Sequence, residues 1–305
     1  MHGGHGHSHS HSQAPKNFGR AFAIATLLNI ALVIAQVIYG LLANSLALLA
    51  DAGHNFGDVM GLVMAWGAFA VADWRPSDSF TYRMRSASIL SAFVNGMILL
   101  VATAIIAWEA VQRFIAPQPV ATGTVIVVAA VAVLVNGVSA WLLSRGSESD
   151  LNMRGAFLHM LADAGVSVAV IVAAAGIILT GWQWLDPAAS LLISAVILVG
   201  TWRLLREALR LSLNAAPAKI DPADVRRYLQ GLPEVSEVHD LHIWAMSTTE
   251  TALTCHLVTP GGHPGDDFLH RVAHELEHRY EIGHSTVQIE LADGGQCALK
   301  SAHAV

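Results

Sequence analysis

The chain has 305 residues, 54% apolar and only 13% charged, with a mean hydropathy of +0.50. A soluble domain of this length is nearer a quarter charged, so the composition argues against a wholly soluble protein. The net charge of −6 argues against a nucleic-acid binder. The shortage of charge is concentrated before about residue 213, which divides the length into one membrane domain and one small extramembrane domain. Cys255 and Cys297 make no CxxC pair and no disulfide framework, which fits a reducing compartment. The start is His/Ser/Gly-rich and lacks the basic-then-apolar order of a cleavable signal peptide.

Residues 1–17 read as a disordered tail carrying His2, His5, His7, His9 and His11. Alternating His, Gly and Ser cannot bury a core. The functional reading is weak, exchangeable metal capture; the competing ones are a solvated tail without essential role and an expression tag. Six apolar segments follow, at 19–42, 45–71, 86–112, 120–144, 156–180 and 186–210. Each is about long enough to cross a hydrocarbon core of roughly 30 Å as a helix. Short turns separate several of them: Ala43-Asn44-Ser45, Pro117 to Gly123, and Thr180-Gly181-Trp182. Trp74, Trp108, Trp182, Trp184 and Trp202 fall near segment ends, as aromatic belts do. Lys16, Arg20, Arg75, Arg83, Arg85, Arg145, Arg154, Arg203, Arg206 and Arg210 fall on one side, and Arg113 alone on the other. The positive-inside rule then places both termini in the cytoplasm.

The transmembrane domain is expected over 18–213, a cytoplasmic α+β domain over 214–293 and a C-terminal tail over 294–305. Asp221-Pro222 starts a helix well, with Asp as N-cap and Pro in the first turn, and the helix should reach about Gly231. Residues 235–246 and 250–259 read as strands, Asp266 to Tyr280 as a helix and 285–291 as a short strand. The order αββαβ predicts a small two-layer domain.

Two copies of one spacing sit inside the apolar segments: His54 with Asp58 in the second, His159 with Asp163 in the fifth. Side chains at i and i+4 share a helix face. Two such helices packed together would offer two imidazoles and two carboxylates around one point, a set that zinc favours. One such pair can be a structural hydrogen-bonding element between helices. Two pairs are harder to explain that way, because ionisable groups in lipid are costly. Metal has to displace protons from these groups, so metal and H⁺ compete for one site. Asp51 has two readings: a hydrogen-bonding partner that orients His54, or a solvated residue near the membrane surface. Asn29, Gln36, Asn95 and Asn136 are expected to hydrogen-bond between helices, and Glu109 to reach water.

The soluble domain carries His239, His242, His256, His270, His274, His278 and His284. His239 and His256 fall on adjacent predicted strands; His270, His274 and His278 share one helix face. Gln288 and Glu290 alternate on the last strand and can face the same way. The readings are a regulatory metal site at the domain or dimer interface, or a polar His-rich surface. Cys255, beside His256, points to the opposite strand face and reads as core.

Together these residues resemble the cation diffusion facilitator family of divalent-metal/proton antiporters. The resemblance lies in SLALLADAGHNFGDVMGL, TYRMRSASILSAFVNG, DLNMRGAFLHMLADAGVS, VHDLHIWAMSTTETALTCHLV and HSTVQIE, from about Phe18 to Leu291. It implies a homodimer of subunits with six transmembrane helices and a ferredoxin-like cytoplasmic domain, exporting metal across a bacterial inner membrane. It implies a transport site of His54, Asp58, His159 and Asp163, and a cytoplasmic site with His239, His256, Glu290 and His270. The chain also departs from familiar members. The loop ADWRPSDSFTYRMRS has no histidine, leaving Asp73 and Asp78 as weak candidates for a further site. Gln288 stands where some members have a ligand histidine, and the loop from Arg145 to Arg154 lacks a His-rich insert.

Two His and two Asp match Zn²⁺ first, then Co²⁺ or Cd²⁺, then nickel and iron(II); an all-oxygen set would suit manganese or magnesium better. Zinc is expected as transported substrate and regulatory ligand, with no organic cofactor. An intramembrane metalloenzyme is disfavoured, because there is no HExxH and four protein ligands would close the site. A membrane metal sensor or buffer, which binds without transport, remains as the competing class.

Overall fold

The six apolar stretches form six helices: α1 (Phe18–Leu42), α2 (Leu46–Ala72), α3 (Ala87–Ile115), α4 (Thr122–Ser144), α5 (Leu151–Thr180) and α6 (Leu185–Ser212). The computed structural model describes residues 18–72, 78–144, 151–291, 297 and 299. The tail histidines His2 to His11, and Lys16, Asp73, Trp74, Arg75 and Arg145, lie outside the described residues. Among the described residues, α3, α5 from Phe157, α6 and most of α4 are long and apolar enough to cross a membrane; α1 adds the shorter apolar stretch Leu27–Leu42. The remaining helix, α2, carries Asp51, His54 and Asp58. Helix α5 starts at Leu151, earlier than its apolar pattern, because backbone hydrogen bonding continues through polar residues that hydropathy cannot mark.

The chain divides into two compact units: one runs to Met60 and resumes over Leu99–Val199, the other comprises Gly61–Ile98 and Gly200–Val305. In the first, small residues let helices approach: Ala43, Ala47, Ala50, Ala129 and Ala174 are buried beside Leu48, Val125, Val170 and Ile193. Trp108, Leu134, Val172, Leu179 and Val199 face outward, as lipid-facing side chains do. The α1–α2 turn is tied by a carboxylate from α6. Asp186 accepts from Ser45 Oγ at 2.5 Å and from the backbone N–H of Leu46 at 2.8 Å. It thus satisfies donors that the first turn of α2 leaves free, at the positive end of the helix dipole. Arg113 Nη1 donates to the Asn44 carbonyl at 2.7 Å, which closes the same turn. Asn136 is fully buried in α4, and among the described residues its amide has no hydrogen-bond partner, unlike the interhelix bonder expected.

The second unit contains the soluble fold: α7 (Pro222–Gln230), β1 (Glu237–Ala245), β2 (Thr251–Val258), α8 (Asp266–Tyr280) and β3 (His284–Glu290). This is the αββαβ order expected. Asp221 caps α7 as predicted, its carboxylate accepting from the Ala223 N–H at 2.9 Å, with Pro222 in the first turn. The sheet order is β1-β2-β3, antiparallel between β1 and β2 and parallel between β2 and β3. Leu253, Cys255 and Leu257 of β2 pack with Val225 and Leu229 of α7 and Phe268, Val272 and Leu276 of α8. Both helices therefore cover one face of the sheet, and alternate residues of β2 face the other. Within this unit the turn before α3 meets the β1–β2 turn. Arg85 Nη1 lies 2.6 Å from Glu250 Oε2, and Ser88 Oγ accepts from the Thr248 N–H at 3.1 Å.

Candidate metal centres

The spacing of each HxxxD pair puts both of its side chains on one face of its helix, and the structure turns these faces of α2 and α5 toward each other. The contacts are crossed. His54 Nε2 lies 3.1 Å from Asp163 Oδ1, and His159 Nε2 lies 3.3 Å from Asp58 Oδ2. Within α5, His159 Nε2 is 3.8 Å from Asp163 Oδ2. Ligand atoms of His54, Asp58 and Asp163 all lie within 4.8 Å of one another, and the two imidazole rings are 6.0 Å apart. Asp163 is 1% exposed whereas the His159 side chain is 43% exposed, so the site is closed on one flank and reachable on another. The Asp58 Oδ2 atom is buried and faces His159 Nε2, so a cation can take the place of the proton between them.

Asp51 does not bond to His54, and it is not solvated. It is fully buried and accepts from Gln36 Nε2 of α1 at 2.6 Å and from Ser167 Oγ of α5 at 2.8 Å. Gln36 completes its amide by accepting from Asn55 Nδ2 at 3.0 Å. One helix turn from His54, this network fixes α1, α2 and α5 to each other, and Gln36 is the interhelix hydrogen bonder expected. Gly57, between the two α2 ligands, lets α3 close in: a Cβ there would clash with a Leu99 methyl. Glu109 is half-exposed and pairs with Arg113 one turn on.

A second cluster lies on the helix-free face of the sheet. His239 and His256 sit opposite each other across β1 and β2, their rings 5.2 Å apart. Glu290 Oε1 is 2.8 Å from His256 Nδ1, and Glu290 Oε2 is 3.2 Å from His239 Nε2. Cys297 Sγ is 3.5 Å from His256 Nδ1. Ligand atoms of these four residues all lie within 4.8 Å of one another. Burial pushes the Glu290 carboxyl up, but the Cys297 thiol and the two imidazoles outweigh it and hold the group below the usual carboxylate range. Cys255 faces the core, as expected, and burial pushes its thiol up to about 12.

The cluster differs from the expected set in three ways. His270 is exposed on α8, beside a groove lined by Tyr228 and Leu232. Because α8 packs on the core face, the sheet separates His270 from the other three within one chain. Cys297 joins instead, from beyond the last strand. Asp240 also joins: the β1–β2 register shifts between His239 and His242, and Asp240 adopts a φ of 49°. This bulge brings Asp240 Oδ2 within 3.5 Å of His256 Nε2, although strict alternation would face it away. Gln288 donates to Glu290 Oε1 at 3.1 Å and so supports that carboxylate.

Comparison with known proteins matches this two-part architecture. The family model described as the cation efflux transmembrane domain matches residues 22–211, and that of the cation efflux protein cytoplasmic domain matches 217–292. The chain belongs to the cation efflux family. Its cation efflux relatives include the zinc transporter ZitB of Escherichia coli (strain K12), 40% identical over 85% of this chain and 83% of that protein. The cadmium, cobalt and zinc/H(+)-K(+) antiporter of Bacillus subtilis (strain 168) is 35% identical over 85% of this chain and 84% of its own length. The metal cation efflux system protein CzcD of Cupriavidus metallidurans is 36% identical over 90% of this chain and 87% of that protein. Among solved structures, the metal-bound C-terminal domain of CzcD from the same organism covers 24% of this chain and all of that domain, at 33% identity and a TM-score of 0.22. As a cation efflux protein the chain is a multi-pass membrane transporter and not an enzyme.

Proposed function

We propose that this chain exports divalent metal, zinc first and cadmium or cobalt next, from the cytoplasm in exchange for protons. The crossed His54–Asp163 and His159–Asp58 contacts carry the reading. Ligand atoms of His54, Asp58 and Asp163 lie within 4.8 Å of one another with His159 3.3 Å from Asp58, and two nitrogens with two oxygens suit zinc better than magnesium or manganese. Relatives whose names include zinc, cadmium and cobalt support the same set of metals.

Proton exchange follows from charge. With neutral imidazoles the site carries two carboxylate charges, which a divalent ion cancels. An uncompensated charge in the membrane is costly, so when metal leaves, protons restore neutrality. Each crossed histidine–carboxylate pair can share one proton. Metal loading and proton loading are therefore alternatives at one set of atoms.

The protein acts as a homodimer in a bacterial inner membrane, with both termini in the cytoplasm. The match to a cytoplasmic domain model, the bacterial relatives and the skewed distribution of arginine support this. His239, His256 and Glu290 form a cytoplasmic regulatory metal site; the buried ring nitrogens of His239, which among the described residues make no hydrogen bond, fit that role.

The test is zinc flux in proteoliposomes with an internal fluorescent reporter and an imposed pH gradient. Wild type should move zinc in a gradient-dependent manner, and Asp163→Ala should lose that flux while remaining folded. Zinc, cadmium and cobalt binding without flux of any of them would establish a sensor or buffer instead.

A further inference from the structure

We propose that Cys297 supplies a thiolate as a fourth protein ligand to the His239, His256 and Glu290 site, so that a divalent metal clasps Cys297 onto the sheet. The proposal rests on the cytoplasmic-site reading and extends it to a residue beyond the last strand.

His239 points to a ligand. It is 6% exposed, yet among the described residues neither ring nitrogen makes a hydrogen bond. Buried polar atoms are almost always satisfied, and two ring nitrogens that face carboxylates, Nδ1 at 3.9 Å from Glu237 Oε1 and Nε2 beside Glu290, are suited to a cation. Nε2 sits 3.2 Å from Glu290 Oε2 without forming a hydrogen bond. Two ligand atoms that close and unbonded can share a cation between them.

His256 is oriented for the same purpose. Asp240 Oδ2 lies 3.5 Å from its Nε2. A proton held on Nε2 by that carboxylate leaves the Nδ1 lone pair facing Glu290 at 2.8 Å and Cys297 Sγ at 3.5 Å. A carboxylate behind a histidine is a usual way of fixing the tautomer of a metal ligand. The bulge at Asp240 thus acquires a purpose that strand alternation alone would not supply.

The chemistry of the set is consistent. All four ligand atoms lie within 4.8 Å of one another, close enough for a tetrahedron with bonds of about 2.0–2.3 Å. One thiolate and one carboxylate neutralise a divalent ion. The sulfur shifts preference toward zinc, cadmium and cobalt and away from magnesium and calcium. Cys255 cannot serve instead, because it packs in the core on the opposite face of β2.

Cobalt(II) added to the full-length protein in detergent tests the clasp. A cobalt–thiolate bond gives sulfur-to-metal charge-transfer absorption in the near ultraviolet, and the His54, Asp58, His159 and Asp163 set contains no sulfur to imitate it. Wild type should show that absorption, and Cys297→Ser should lose it while keeping the visible ligand-field bands. Zinc should also protect Cys297 from alkylation in wild type and not in a His239→Ala, His256→Ala double variant. Charge transfer retained in Cys297→Ser would overturn the proposal. So would its absence from wild type, if the visible bands still weaken in the double variant; that outcome leaves a cytoplasmic site of nitrogen and oxygen ligands standing. Visible bands unchanged in the double variant would remove the cytoplasmic site and the clasp with it.

Discussion

Asp163 and Asp51 are both buried aspartates near one bilayer site, and their partners separate their roles. Asp163 meets two histidines, whereas Asp51 meets an amide and a hydroxyl. Asp51→Ala would leave the Gln36 and Ser167 donors without their acceptor in a buried setting. The expected cost is about 2 kcal/mol, seen as earlier thermal unfolding in detergent, with zinc flux reduced rather than abolished. Equal loss of flux in Asp51→Ala and Asp163→Ala, with both folded, would make Asp51 a ligand. The cysteines divide in a similar way. Cys255 is buried with its thiol near 12, so almost no reactive thiolate exists at pH 8. In metal-free native protein, iodoacetamide should label Cys297 and spare Cys255, as read by peptide mass spectrometry; labelling of both would place Cys255 outside the core.

Among elements, the start of α2 depends on a residue nearly 140 positions away in sequence, since Asp186 of α6 accepts from Ser45, Leu46 and Ala47. A carboxylate at a helix N-terminus satisfies orphan donors and opposes the helix dipole together. Asp186→Ala should destabilise by about 2–3 kcal/mol, because charged hydrogen bonds are lost and buried N–H groups remain. Asp186→Asn should fall between, because its amide oxygen keeps one acceptor. Thermal unfolding of the three proteins in one detergent checks the order. The link matters for function because α2 carries His54 and Asp58, and a loosened helix start would free them to drift from α5. Helix starts and stops were legible where capping chemistry was local, as at Asp221-Pro222. The Asp186 tie was not, because no spacing rule connects α6 to α2.

For the whole molecule, the proposed exchange makes a directional prediction. Protons and metal share one set of atoms, so the pH gradient should set the direction of net zinc movement. Reversing the gradient across proteoliposomes of fixed zinc content should reverse the sign of the reporter signal. A signal indifferent to that reversal would sink proton exchange and leave facilitated zinc diffusion. The reading also predicts that zinc competes with cadmium and cobalt for flux more strongly than with magnesium, because half of the ligands are nitrogens.

By itself the sequence determined what depends on periodicity and local chemistry. The apolar lengths of the spans, the i, i+4 placement of His54 with Asp58 and His159 with Asp163, and the αββαβ order all follow from repeats along the chain. Only the tertiary structure decided which groups meet. It crossed the His–Asp contacts between α2 and α5, turned Asp51 inward to Gln36 and Ser167, and set the sheet between His270 and the cluster. It also placed Asp240 and Cys297 beside His256, one through a bulge and the other from beyond β3. A period of 3.6 or 2 fixes the face on which a residue lies, but contact between faces is set by packing across long sequence separations.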